Sequence, residues 1–153
     1  MLPLDHVRST EPPWVYLCVL PAGQTLDAMV EPLPGIDVKH IEGRRCATKG
    51  GLLSEFAGAL EFPPYFGQNW DAFEECLTDL SWMPAAGYLI VVANAEQVLR
   101  DNEEEYYATF IESLQAVGQE WGAMRATPFH VVMVISEHHQ AERADWRVPR
   151  LTC

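Results

Sequence analysis

The sequence predicts an α/β domain, a layered fold with a small parallel β-sheet packed by helices and extended by an extra N-terminal strand. Three observations lead there. Residues 14–20, 87–93 and 129–135 are continuous apolar, β-prone runs, as a strand buried on both faces requires. Residues 36–41 alternate apolar and polar side chains, the pattern of a half-buried strand. Between these runs lie stretches of helical periodicity, and strands separated by helices imply parallel pairing through right-handed crossovers.

The elements follow in chain order. Residues 1–13 read as a polar leader ending in Pro12-Pro13. The first apolar run stops at Pro21 and Gly23, and residues 25–35 have room for a short helix before Pro34-Gly35. After the alternating strand, Glu42-Gly43 turns the chain. Thr48 is positioned to cap a helix to about residue 60, with Leu52, Leu53, Phe56 and Leu60 on its apolar stripe. Pro63-Pro64 stops that helix, and Asn69 is a good N-cap for the next, over residues 70–80. Residues 95–99 read as one helical turn. Asp101 or Asn102 then caps a helix to about residue 120, with Glu103, Glu104 and Glu105 where the helix dipole favours acids. The tail after Ser136 has mixed charge and no period, and is expected to be loosely held. The chain thus divides into an extension over 1–35, a main domain over 36–136 and a tail over 137–153.

The 153 residues fit one domain, and 48% apolar content suffices for a packed core. No run approaches the ~18 apolar residues of a membrane span. The leader lacks the basic-then-apolar layout of a secretory signal, so a cytoplasmic location is expected. The cysteines, Cys18, Cys46, Cys76 and Cys153, have no metal-ligand spacing and read as reduced thiols, the first three in apolar or mixed segments. The net charge of −12 is concentrated: residues 61–120 hold twelve acids and one base, Arg100. A field of that sign repels nucleic acid and membranes of like charge, and steers cationic partners inward.

The helix after Asn69 has two contrasting faces. Trp70, Phe73, Leu77 and Leu80 form an apolar stripe. Asp71, Glu74, Glu75 and Thr78 project together from another face, with Asp79 beside them. Every amphipathic helix has a solvated face, so the pattern alone is ordinary. Here, however, residues 62–82 contain no lysine or arginine to pair with these carboxylates, and unpaired like charges cost helix stability. The preceding loop offers Tyr65, a ring and hydroxyl for contact, and Gly67, where a partner's backbone can approach closely.

The run Pro64-Tyr65-Phe66-Gly67-Gln68-Asn69-Trp70-Asp71-Ala72-Phe73, followed by Leu77-Thr78, resembles the barstar family of intracellular ribonuclease inhibitors. The similarity extends more weakly over residues 36–135 and omits 1–35 and the tail. The resemblance implies that loop and helix plug the active site of a small basic ribonuclease of extracellular type, or of a toxin nuclease. By the same resemblance Tyr65, Gly67, Asn69, Asp71, Glu75 and Thr78 face the enzyme, and Asp71 and Glu75 stand where RNA phosphates bind. An acid from the later helix is also implied, with Glu112 and Glu120 both open. Departures from the family pattern fall at Glu74, Glu75, Asp79 and Leu80, and Trp82 is a nearby aromatic. Glu74 and Asp79 belong to the expected contact surface on charge.

Other constellations are weaker. His138-His139 with Glu137 or Glu142 is a poor metal motif. His130 sits in an apolar run and reads as a core histidine. Lys49-Gly50-Gly51 lacks phosphate-loop spacing, and no G-x-S-x-G elbow occurs. Paired carboxylates also serve glycosidases, but nothing places one in a cleft. The expectation is therefore a non-enzymatic inhibitor without cofactor or metal. The alternative is an adaptor or immunity protein of the same family that binds a different basic protein and inhibits no nuclease.

Overall fold

The computed structural model describes residues 4–24, 33–64 and 66–151. Four strands, β1 (Val15–Leu20), β2 (Ile36–Glu42), β3 (Gly87–Ala93) and β4 (Phe129–Ser136), form one sheet in the order β1-β4-β3-β2. All three pairings are parallel, with Val15 opposite Val131, Ile90 opposite Val131 and Val38 opposite Leu89. The added N-terminal strand therefore extends the sheet on the outer side of β4.

The continuous apolar runs are explained by burial on both faces. Val15, Leu17 and Val19 of β1, with Ile90, Val92, Val131 and Met133, face the helices. The alternate positions, Tyr16, Cys18, Leu89, Val91, Val132 and Val134, face the other way and pack with Val7 and Leu33. Strand β2 is an edge and only half-buried, although Ile41 reaches the helical side.

The helical side carries α2 (Lys49–Ala59), α3 (Trp70–Asp79) and α4 (Glu104–Gln119). Thr48 caps α2 as expected, its hydroxyl accepting from the Gly51 N–H at 3.1 Å. The cap expected for α4 is different. Asn102 lends its amide oxygen to the Lys49 N–H of α2, 2.8 Å away, and Glu103 starts α4 with no side-chain cap bond. An N–H of α2 needed an acceptor, and the tertiary fold brought Asn102 to it.

Several expectations need correction. The leader contains a helical turn, α1 (Leu4–Val7), whose Val7 is fully buried under the sheet. The tail is docked. Trp146 is buried in the main core, the Tyr107 hydroxyl donates to its carbonyl at 2.8 Å, and the Arg143 guanidinium lies 3.6 Å from the Tyr107 ring centre. The tail then runs along β1, with Leu17 N–H donating to Pro149 O and Leu151 N–H to Leu17 O. This covers the β1 edge of the sheet, which otherwise offers unpaired backbone groups. Cys46 and Cys76 are free and buried, but Cys18 is disulfide-bonded. The short helix expected over 25–35 falls mostly outside the described residues.

The extension is pressed against α4. A Cβ built on Gly118 would lie 2.3 Å from Trp14 Cβ, and one on Gly122 would lie 2.4 Å from the Thr10 carbonyl oxygen. Gly118→Ala should therefore destabilise the fold by about 1–3 kcal/mol, the usual range for overpacking. Chemical denaturation of the variant beside the parent measures this.

His130 of β4 is fully buried, with Nε2 2.7 Å from the Ser9 carbonyl. Burial pushes its imidazole down from 6.5 to about 4. The unfolded chain takes up this proton first as pH falls, so the contribution is complete above pH 6.5 and fades toward pH 4. The loss is on the order of 3 kcal/mol. Urea titrations at pH 7 and at about pH 4.5 should show it, and His130→Leu should remove that part of the pH dependence.

Candidate functional site

The loop before α3 is organised by Asn69. Its backbone is extended, its amide oxygen accepts from the Ala72 N–H at 2.8 Å, and its amide nitrogen donates to the Gly67 carbonyl at 3.1 Å. One side chain thus satisfies the helix start and fixes the loop against it. Gln68 takes a left-handed conformation with φ 53°. Gly67 is exposed, and a Cβ there would crowd the Asn69 amide at 3.2 Å. Phe66 anchors the loop edge-on against Phe62, with ring centres 5.0 Å apart.

Helix α3 turns its apolar stripe inward. Phe73, Leu77 and the left-handed C-cap Leu80 are buried, while Trp70 is half-buried beside Phe73 and Phe110. Phe73 packs in turn on Phe56 of α2 and Phe110 of α4. At the far end, the Trp121 indole donates to the Leu77 carbonyl at 2.8 Å, and the Arg125 guanidinium donates to the Thr78 carbonyl. These bonds satisfy carbonyls that a helix end leaves open.

This arrangement sets the other face of α3 beside the end of α4. Between them lies a groove of about 570 Å³ lined by Asp71, Glu74, Glu75 and Thr78 from one side and Ala116 and Glu120 from the other. Four carboxylates line it, and no basic side chain does. Among the described residues, Asp71, Glu74 and Glu75 have no ion-pair partner. The Thr78 hydroxyl donates to the Glu74 and Glu75 carbonyls at 2.9 and 3.0 Å, so toward the groove it presents lone pairs rather than a proton. Asp71 sits in the first turn, where the helix dipole favours its charge.

The expected contact residues divide accordingly. Asp71, Glu74, Glu75 and Thr78 converge on the groove. Gly67 and Asn69 lie exposed in the loop at its entrance to α3. Asp79 is exposed but does not line the groove. Tyr65 lies outside the described residues. Of the two acids left open on α4, Glu120 lines the groove, while Glu112 is exposed away from it. Trp82 does not serve the groove: its indole donates to the Leu60 carbonyl at 2.9 Å and its ring faces Phe62.

Three contributors were not read from the sequence. Ala116 leaves space for the groove by being small. Trp121 and Arg125 follow the regular helix in a π-helical turn, Glu120–Met124, and the residue just after it. The Glu112, Ala116, Glu120 spacing marks one face of α4, and was the available signal.

His139, doubted as a metal ligand, is paired with Glu142 at 2.7 Å and lies 3.7 Å from the buried Glu96. Its hydrogen bond to Glu142 raises its pKa, reinforced by the charges of Glu96 and Glu142.

Helices α3 and α4 thus frame an acidic groove in a small α/β protein: Asp71, Glu74 and Glu75 have no ion-pair partner among the described residues, and Glu120 pairs with Arg125 at 3.5 Å. The chain matches the family model of Barstar (barnase inhibitor) over residues 36–134, and it belongs to that family of non-enzymatic inhibitors. A comparison with curated proteins finds no match. The matched span runs from β2 to β4, so β1 and the tail are additions to it. No helix among the described residues is long and apolar enough to cross a membrane.

Asn69→Ala should cost about 1 kcal/mol of unfolding free energy through the lost cap, whereas Asn69→Asp should retain most of it. Equilibrium denaturation of the two variants separates the cap from general disruption.

Proposed function

We propose that this protein inhibits a basic ribonuclease by filling its active site with α3, the loop before it and the rim of α4. The partner is a ribonuclease of extracellular type or a toxin nuclease, met in the cytoplasm of the cell that must be protected. One observation carries the reading: Asp71, Glu74 and Glu75 line a groove with Glu120, and the three α3 acids have no counter-ion among the described residues. An enzyme that binds RNA holds cationic donors where phosphates sit, and carboxylates form strong charge-assisted hydrogen bonds with such donors. Asp71 and Glu75 take the place of phosphates. Gly67 lets the partner's backbone approach closely, the exposed Asn69 faces the enzyme beside it, Tyr65 supplies a ring and hydroxyl for contact, and Glu74 and Asp79 widen the acidic field.

The experiment mixes the protein with small basic ribonucleases, including any encoded beside it, and follows RNA cleavage. Suppressed cleavage at micromolar protein supports the reading. Tight binding with full cleavage would instead identify an adaptor for another basic protein.

With an inhibited enzyme in hand, Asp71→Ala and Glu75→Ala should each weaken binding by about 2 kcal/mol or more. Their melting temperatures should barely fall. Affinity should also decline as salt rises, because exposed charges are screened. Calorimetric titration across a salt series reads both effects, and a salt-independent affinity would contradict electrostatic mimicry.

A further inference from the structure

We propose that Arg125 is a specificity residue of the groove: an internal cation that occupies Glu120 and confines a partner's cations to the half formed by Asp71, Glu74 and Glu75. This inference rests on the groove being a cation-binding surface.

Three contacts hold the guanidinium. It donates to the Thr78 carbonyl in the last turn of α3, where a cation complements the helix dipole. It lies 3.5 Å from the Glu120 carboxylate. It stacks 4.4 Å from the centre of the Trp121 ring, which is itself buried and bonded to α3 through the Leu77 carbonyl. The planar fork suits all three at once, a geometry that lysine does not reproduce.

The consequence is an electrostatic gradient along the groove. Glu120 has a counter-ion 3.5 Å away that stays charged at any ordinary pH. Asp71, Glu74 and Glu75 have none among the described residues. A cation entering at the Glu120 end meets a like charge and must displace Arg125 from its carboxylate. A cation entering over α3 meets no such barrier. Asp71 and Glu75 are one turn apart, which sets their spacing at about 6 Å. The fitting partner therefore presents two cations at that separation, rather than three spread across to α4. Arg125 is 40% exposed, so the pair is open to competition rather than sealed.

The test uses a synthetic tetra-arginine peptide, titrated at low ionic strength and followed by amide chemical shifts of the groove residues. Arg125→Met keeps a long side chain on Trp121 but removes the charge. It should tighten binding about threefold, the scale of one exposed ion pair, and bring the Glu120 amide into the set that shifts. Adding Glu120→Gln should cancel the gain. In the parent, Glu120→Gln alone should change affinity less than Asp71→Asn does, a comparison that stands even where Arg125→Met disturbs folding. Groove binding that is equal or weaker in Arg125→Met overturns the role of Arg125 and leaves the groove reading intact. The same follows if Glu120→Gln weakens the parent as much as Asp71→Asn. A peptide that avoids the groove in every variant overturns the groove reading, and this inference with it.

Discussion

The contact on which the site depends is the clamp between α3 and α4. Two helices that share a face rich in carboxylates repel each other across it. They are held by Phe73 against Phe110 in the core and by the Trp121 indole on the Leu77 carbonyl, 2.8 Å away. The indole has a large apolar body, packed on Tyr88 of β3, and one polar edge. It thereby ties the end of α4 to both the sheet and the neighbouring helix. Together with Arg125, which pairs with Glu120 and donates to the Thr78 carbonyl, it keeps Glu120 opposite Glu75 and Thr78.

The additions outside the family span reinforce the same helix from behind. Trp14 fits against Gly118, and Thr10 against Gly122, leaving no space for a side chain at either position. The tail grips the other end of α4, where Arg143 stacks on Tyr107 and pairs with Glu104 at 2.5 Å. β1 joins these supports through its pairing with β4 and its cover by residues 149–151. The extension and the tail thus act on the groove indirectly, by holding α4 in place while leaving α3 free to present its acids.

Much of this was legible in the chain. The three continuous apolar runs are buried strands, because only burial on both faces tolerates such runs. The two faces of α3 follow from the helical period, and Asn69 and Thr48 cap as their side chains allow. What remained hidden was set by tertiary contact. The strand at 15–20 carries no mark of its neighbour, since pairing beside β4 depends on packing elsewhere. The choice between Glu112 and Glu120 depends on where α3 crosses α4, which periodicity does not specify. Asn102 reads as a cap for its own helix, yet serves another. The docking of the tail leaves no periodic mark, because single residues, Trp146 and Arg143, anchor it rather than a repeating stripe.

The central claim is that the acidic face of α3 is kept for binding at some expense of stability. Glu74 and Glu75 test it most directly, because both line the groove and neither has an ion-pair partner among the described residues. The measurement is the melting temperature of the Glu74→Gln, Glu75→Gln double variant beside the parent, at low and at high salt. Relief of repulsion should raise the variant above the parent at low salt, with the difference shrinking as salt is added. A variant that melts below the parent at both salt concentrations would mean that these carboxylates hold the fold together, and would contradict the account.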